Sequence, residues 1–338
     1  MTVRGFTAST TVVALLVLTS VAVAGQTQSG AVSAEPMSRT AWGQPDLQGV
    51  WDFRTITPME RPDDLAGKEF LTAEEAAELE ETRRTENAAR DGEVPADIVG
   101  NYNTFWFDRG NLVVGTQRTS LVVDPPDGKI PPLTAPAQRL RAAEDAARSN
   151  TGPHQPTPGG WVDDLGPNGL QVRCITGFNS GPPMTPSAYN NNMQLFQTPD
   201  HVVLLNEMNH NARIIPLDGR AHVDLRQWTG DSRGYWDGET LVVETVNFLR
   251  ETSFMRGGSS PDLQLVERFS RVSPDILEYE VTVDDRRTWT HPWTYTVPMV
   301  RNAEPMYEYA CHEGNYAMEV ILAGARAEER AAAGAGSQ

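Results

Sequence analysis

The sequence predicts a mainly β protein, an antiparallel meander closing into a barrel, with peripheral helices and one C-terminal helix. Strand-like runs recur at short spacing from Met193 to Met299, separated in pairs by turn residues. Helical patterns are confined to two stretches ahead of those strands and one after them. The 24 prolines and 28 glycines are spread along the chain, as a loop-rich β protein requires.

At the N-terminus, Met1-Thr2-Val3-Arg4 precedes an apolar run from Val12 to Val23, and Ala22-Val23-Ala24 supplies an A-x-A-like site. This is the layout of a secretory signal peptide over residues 1–24, with an uncleaved anchor as the alternative. The run is short for a membrane span and no Cys follows the site, so the mature chain is expected to carry no stable membrane anchor. Residues 25–40 read as a flexible leader.

A segment over 41–160 is expected to pack on the barrel with two surface helices and a hairpin. Thr72-Ala73-Glu74-Glu75 has capping-box spacing and opens a helix to about Arg90, stopped by Gly92. Ser120 to Val123 and Lys129-Ile130 flank Asp124-Pro125-Pro126-Asp127-Gly128, which has turn chemistry. A second helix is expected from about Pro136 to Arg148, followed by a Pro/Gly-rich loop from Gly152 to Gly160.

The barrel core with its C-terminal helix is assigned to 161–330. Met193 to Gln197 pairs with His201 to Met208, Tyr235-Trp236 with Leu241 to Asn247, and Leu263 to Arg271 with Ile276 to Val283. Trp289 to Met299 adds a further strand, and Met318, Ile321, Leu322 and Ala325 form an i, i+3, i+4, i+7 face.

The formal net charge is −17, and loss of the signal removes only Arg4. That balance excludes nucleic acid and an anionic membrane surface as partners and leaves a small-molecule ligand or substrate. Cys174 and Cys311 are the two cysteines, and in a periplasmic or secreted protein they are expected to form a disulfide. Two buried free thiols are the alternative.

Asp231-Ser232-Arg233-Gly234-Tyr235-Trp236-Asp237-Gly238-Glu239-Thr240-Leu241-Val242-Val243-Glu244-Thr245 and Tyr307-Glu308-Tyr309-Ala310-Cys311-His312-Glu313-Gly314-Asn315-Tyr316 resemble blocks of a large family of exported bacterial proteins, as does Tyr189-Asn190-Asn191-Asn192. The resemblance covers most of 42–330 and implies no activity. The G-x-W-x-G-x-T-L pattern of Gly234 to Leu241, with the hairpins that follow, also resembles lipocalin-type barrels, so a lipocalin-like barrel is the expected fold.

Candidate chemistry gathers around the strands. Alternation groups Val242, Glu244, Val246 and Phe248, placing a carboxylate on an apolar face. Glu267 shares parity with Leu265 and Phe269 and is its expected counterpart across a cavity, whereas Glu280 groups with Glu278, Thr282 and Asp284 and reads as solvent-facing. Glu207, His210 and Arg213 span a strand end: His210 suits a general base, Glu207 would raise its basicity, and Arg213 would bind an oxyanion. His312 is the partner acid, Arg233 an anion clamp, and Asp231 with Glu244 would orient imidazole or cationic groups. Trp228, Tyr235 and Trp236 are candidates for an aromatic wall. Each grouping has a plain structural counterpart, from turn-capping by Asp231 and Ser232 to a strand-end cluster of satisfied polar groups.

No GxSxG, P-loop, GxGxxG or CxxCH occurs, and Tyr316 stands where a zinc-protease helix needs its second His. The expectation is an exported, cofactor-free enzyme doing acid–base chemistry on a small organic or sugar-like molecule, a lyase or hydrolase. A lipocalin-like binding protein is the alternative. A hydrolase holding a divalent metal on His210, His312 and Glu313 is the second.

Overall fold

The computed structural model describes residues 37–92, 108, 110–152, 169–252, 254 and 259–335. The expected signal peptide, the leader as far as residue 36 and most of the 152–160 loop lie outside them.

Among the described residues ten strands form one antiparallel sheet: β1 Gly49–Asp52, β2 Val122–Asp124, β3 Asn192–Gln197, β4 His201–Asn206, β5 Ala212–Pro216, β6 Asp231–Asp237, β7 Thr240–Val246, β8 Gln264–Ser273, β9 Ile276–Asp284 and β10 Trp293–Asn302. Their order is β5-β4-β3-β1-β10-β9-β8-β7-β6, with β2 also on β10. Three of the four expected hairpins are present, each with its turn chemistry between contiguous strands; Gly238 at φ +62° makes the β6–β7 turn.

The sheet is not closed into a barrel. Its path ends at β5 and β6, and among the described residues no ladder joins them. They pack side by side instead: a Cβ on Gly234 of β6 would stand 2.7 Å from Leu217 Cδ2 and 3.0 Å from Ile215 Cγ2.

Other expectations are corrected by pairing between distant segments. Val122 and Asp124 pair with β10 rather than with Lys129-Ile130, so no hairpin forms there. The N-terminal segment gives the sheet a strand: β1 lies between β3 and β10, with Val50 opposite Asn302 and Gln194. Asp231-Ser232-Arg233 starts β6 and is not a link before it.

One face of the sheet holds the core. Trp51 and Phe53, Phe269, Tyr279, Trp293 and Tyr295 are buried there with Leu or Val from β3, β4, β7, β8, β9 and β10. Each such side chain taken from water contributes about 1.5–3 kcal/mol. Trp51 satisfies its indole by donating to Leu47 O at 2.9 Å.

Among the described residues four α-helices flank the sheet: α1 Ala73–Gly92, α2 Ala135–Arg148, α3 Gly169–Val172 and α4 Ala317–Ala335. The α1 capping box is formed, Glu75 N donating to Thr72 Oγ1 at 3.3 Å and Thr72 N to Glu75 Oε2 at 2.8 Å. On the expected apolar face of α4, Met318, Ile321 and Ala325 are half-buried and Leu322 is exposed. Cys174 and Cys311 form the expected disulfide, Cα–Cα 5.7 Å, which ties the segment before α4 to the end of α3. Among the described residues no helix is long and apolar enough to cross a membrane.

Candidate functional site

Antiparallel pairing sets the end of β4 beside the start of β5, which places Glu207, His210 and Arg213 around one strand connection, while β6, which starts at Asp231, packs against the β5 side of the sheet through Gly234. Strand alternation then separates their side chains. Arg213 points into the core, where Nη1 and Nη2 donate to Glu267 Oε2 and Oε1 at 2.6 and 2.8 Å. Tyr279 OH donates to Glu267 Oε1 at 2.7 Å and accepts from Met184 N at 3.1 Å, while Tyr295 OH donates to Met184 O at 2.7 Å. Burial works against the Arg213 charge, but Glu267, by charge and hydrogen bond, overrides it and raises the guanidinium pKa. Burial, then the Glu267 charge, pushes both phenols well above their ordinary range. These are the properties of a buried ion pair, bidentate through Nη1 and Nη2 while Nε has no partner, and Arg213 is turned to Glu267 rather than held as an oxyanion ligand.

Glu244 lies on the opposite, exposed face from Glu267, so the two carboxylates do not face each other. The misassignment has a local cause. Leu241, Val243 and Thr245 point inward, and Asn247 at φ +61° breaks the alternation and returns Phe248 to the core. Glu244 accepts from Tyr235 OH at 3.2 Å. Burial, then the Glu244 hydrogen bond and charge, raises that phenol's pKa. Trp236 faces inward and Trp228 lies beneath the Arg173 guanidinium at 5.9 Å, so the expected aromatic wall is not assembled.

Asp231 does orient an imidazole, but it is that of His222, which sequence reasoning missed. Asp231 Oδ2 meets His222 Nδ1 and accepts from Val223 N, both at 3.0 Å. Asp231 Oδ1 accepts from Arg233 Nη1 at 2.6 Å, and Arg233 Nε donates to Ala221 O at 3.2 Å. Since a carboxylate only accepts, His222 donates from Nδ1, which makes Nε2 the basic nitrogen of the neutral ring. Arg233 thus serves Asp231 and the 221–223 loop.

Glu207 accepts from Asn192 Nδ2 at 2.8 Å, and His210, at φ +43°, is exposed at the end of a 3-10 turn. His312 and Glu313 are exposed beyond the disulfide. Among the described residues no three His, Cys, Asp or Glu side chains are gathered as metal ligands, so His210, His312 and Glu313 do not converge.

The described cavity lies elsewhere, on the outer face of β1, β8, β9 and β10 beneath residues 110–116. It is a groove of about 1170 Å3 floored by Val272, Ile276, Pro298 and Val300. The outward parity of Pro298 and Val300 follows from the burial of Val297 and Met299. Helix α1 holds the roof: Glu80 Oε1 accepts from Val113 N at 3.0 Å and Asn87 Nδ2 donates to Gly110 O at 3.4 Å. At one end Arg54 Nε donates to Asp52 Oδ2 at 2.6 Å and Nη1 meets Asp108. Burial opposes the Arg54 charge, but the two carboxylates prevail and raise its pKa. Glu278 also faces the groove; burial first and the Glu280 charge second raise its pKa. Neither the Arg213–Glu267 pair nor the His222–Asp231 pair lines this space. Glu278's outward parity is visible in the sequence; the roof that covers it comes from residues more than a hundred positions away.

No family model, curated protein or solved structure matches the chain.

Proposed function

We propose that this protein binds a small organic molecule in the groove on the outer face of its sheet. The carrying observation is the groove itself: an apolar floor with a few charged groups at its margins, and a volume of about 1170 Å3 that admits a ligand of drug size. The acid–base groups expected to act together are instead divided between the core, the outer face and two loops. Placement outside the cytoplasm is part of the reading, supported by the Cys174–Cys311 disulfide and the signal-like N-terminal sequence. So is a lipocalin-like barrel in which β5 and β6 meet through side chains, supported by Leu217 and Ile215 against Gly234.

The test is native mass spectrometry of protein purified from its own host, alongside Val300→Arg, which sets a long charged side chain on the apolar floor of the groove. A retained organic mass that the variant loses supports the proposal. A chain that carries no organic mass and binds no neutral aromatic alcohol by calorimetry defeats it.

The His222–Asp231 pair favours a second reading, acid–base turnover of a small molecule with His222 Nε2 as the base. It requires turnover that His222→Gln abolishes and His210→Ala leaves intact; equal loss in both variants would reject it.

A further inference from the structure

We infer that the groove selects amphiphilic cations, an apolar body bearing an ammonium-like group, and that the Glu278 carboxylate makes the choice; this rests on the groove being a binding site. Both guanidiniums at the groove are already engaged. Arg54 is held between Asp52 and Asp108. Arg301 lies over the Trp51 ring at 4.6 Å and donates to Pro274 O and Gln48 O, each at 3.3 Å. Glu278, half-buried, receives no hydrogen bond and meets no cation among the described residues.

Its surroundings explain why. Across the sheet it faces Ser270, whose hydroxyl is hydrogen-bonded to Thr240 Oγ1 at 2.7 Å, and Pro298, which has no donor. Along β9 its same-face neighbours are Ile276 and Glu280, the latter a like charge. A carboxylate in this setting lacks both counter-charge and donor, and a ligand ammonium supplies the two together. A ligand carboxylate would add a third negative charge beside Glu278 and Glu280.

The test uses three probes with one apolar body: 1-naphthylmethanol, 1-naphthylmethylammonium and 1-naphthoate, titrated calorimetrically at about pH 8, where the amine is charged and carboxylates are ionised. The ammonium should bind about tenfold more tightly than the alcohol, and the naphthoate more weakly than either. In Glu278→Gln, nearly isosteric and checked for an unchanged circular dichroism spectrum, the alcohol should bind as before and the ammonium preference should vanish. Glu280→Gln should keep most of the preference, because Glu280 does not line the groove. Equal binding of ammonium and alcohol by the natural protein, or a preference that survives Glu278→Gln, overturns the inference alone. If no probe binds, the inference falls; if protein from its own host also carries no organic mass, the groove reading falls with it.

Discussion

Removing either member of the Arg213–Glu267 pair strands the other as a charge in the core, where both are almost wholly enclosed. Glu267→Gln should therefore lower the unfolding free energy by about 3–5 kcal/mol in urea titrations. Arg213→Met combined with Glu267→Leu should recover most of that loss, since no unpaired charge remains. A single variant as stable as the natural protein would refute the assignment. Glu278 gives the second expectation, with its sign set by the raised pKa. A carboxyl whose folded pKa lies above its unfolded value lends stability at pH below the unfolded value and loses it as pH rises through the folded one. Glu278→Gln should thus raise the urea midpoint near neutral pH, and the gain should disappear below about pH 4. At this scale the sequence showed which face Glu267 occupies, because Leu265 and Phe269 share its parity. It did not show Arg213 as the partner, because the pair joins strands β5 and β8, which are not neighbours in the sheet. Glu244 was misread because one left-handed residue, Asn247, resets the alternation that a linear count assumes.

Among the elements, three of the four expected hairpins were legible, the exception being the turn after Val122, and long-range pairings were not. A hairpin writes both strands and its turn into one contiguous stretch, as in Tyr235 to Val246. The four residues of β1 carry no comparable signal, and neither does the pairing of β2 with β10. The open seam between β5 and β6 depends on a missing side chain at Gly234. Gly234→Val should cost about 1–3 kcal/mol by forcing Leu217 and Ile215 aside. Hydrogen exchange should quicken along β5 and β6 but not along β9 and β10. Uniform quickening across the sheet would mean that the seam is not a separate unit.

For the molecule as a whole, the disulfide closes the longest described covalent loop, 137 residues apart in sequence, yet it anchors a segment with little burial of its own. None of residues 303–316 is buried. Replacing both Cys174 and Cys311 by Ser should therefore leave the unfolding free energy within less than the ~2–4 kcal/mol typical of a native disulfide. Chymotrypsin cleavage at Tyr307 and Tyr309 should accelerate markedly. A full-sized loss of stability with unchanged cleavage would show that the tail and the sheet unfold as one. The even cysteine count made this bridge readable from the sequence, whereas the groove was not, since its floor and roof are remote in the chain.

The position of β1 carries a kinetic consequence. Because Val50 lies opposite both Gln194 and Asn302, the middle of the sheet needs the first and the last of the described strands together. A chain emerging from the ribosome makes its local hairpins early, but β1 waits about 250 residues for β10 to arrive. Until then β1, even once paired with β3, keeps an unpaired edge at the centre of the future sheet, open to a chaperone or to a neighbouring chain.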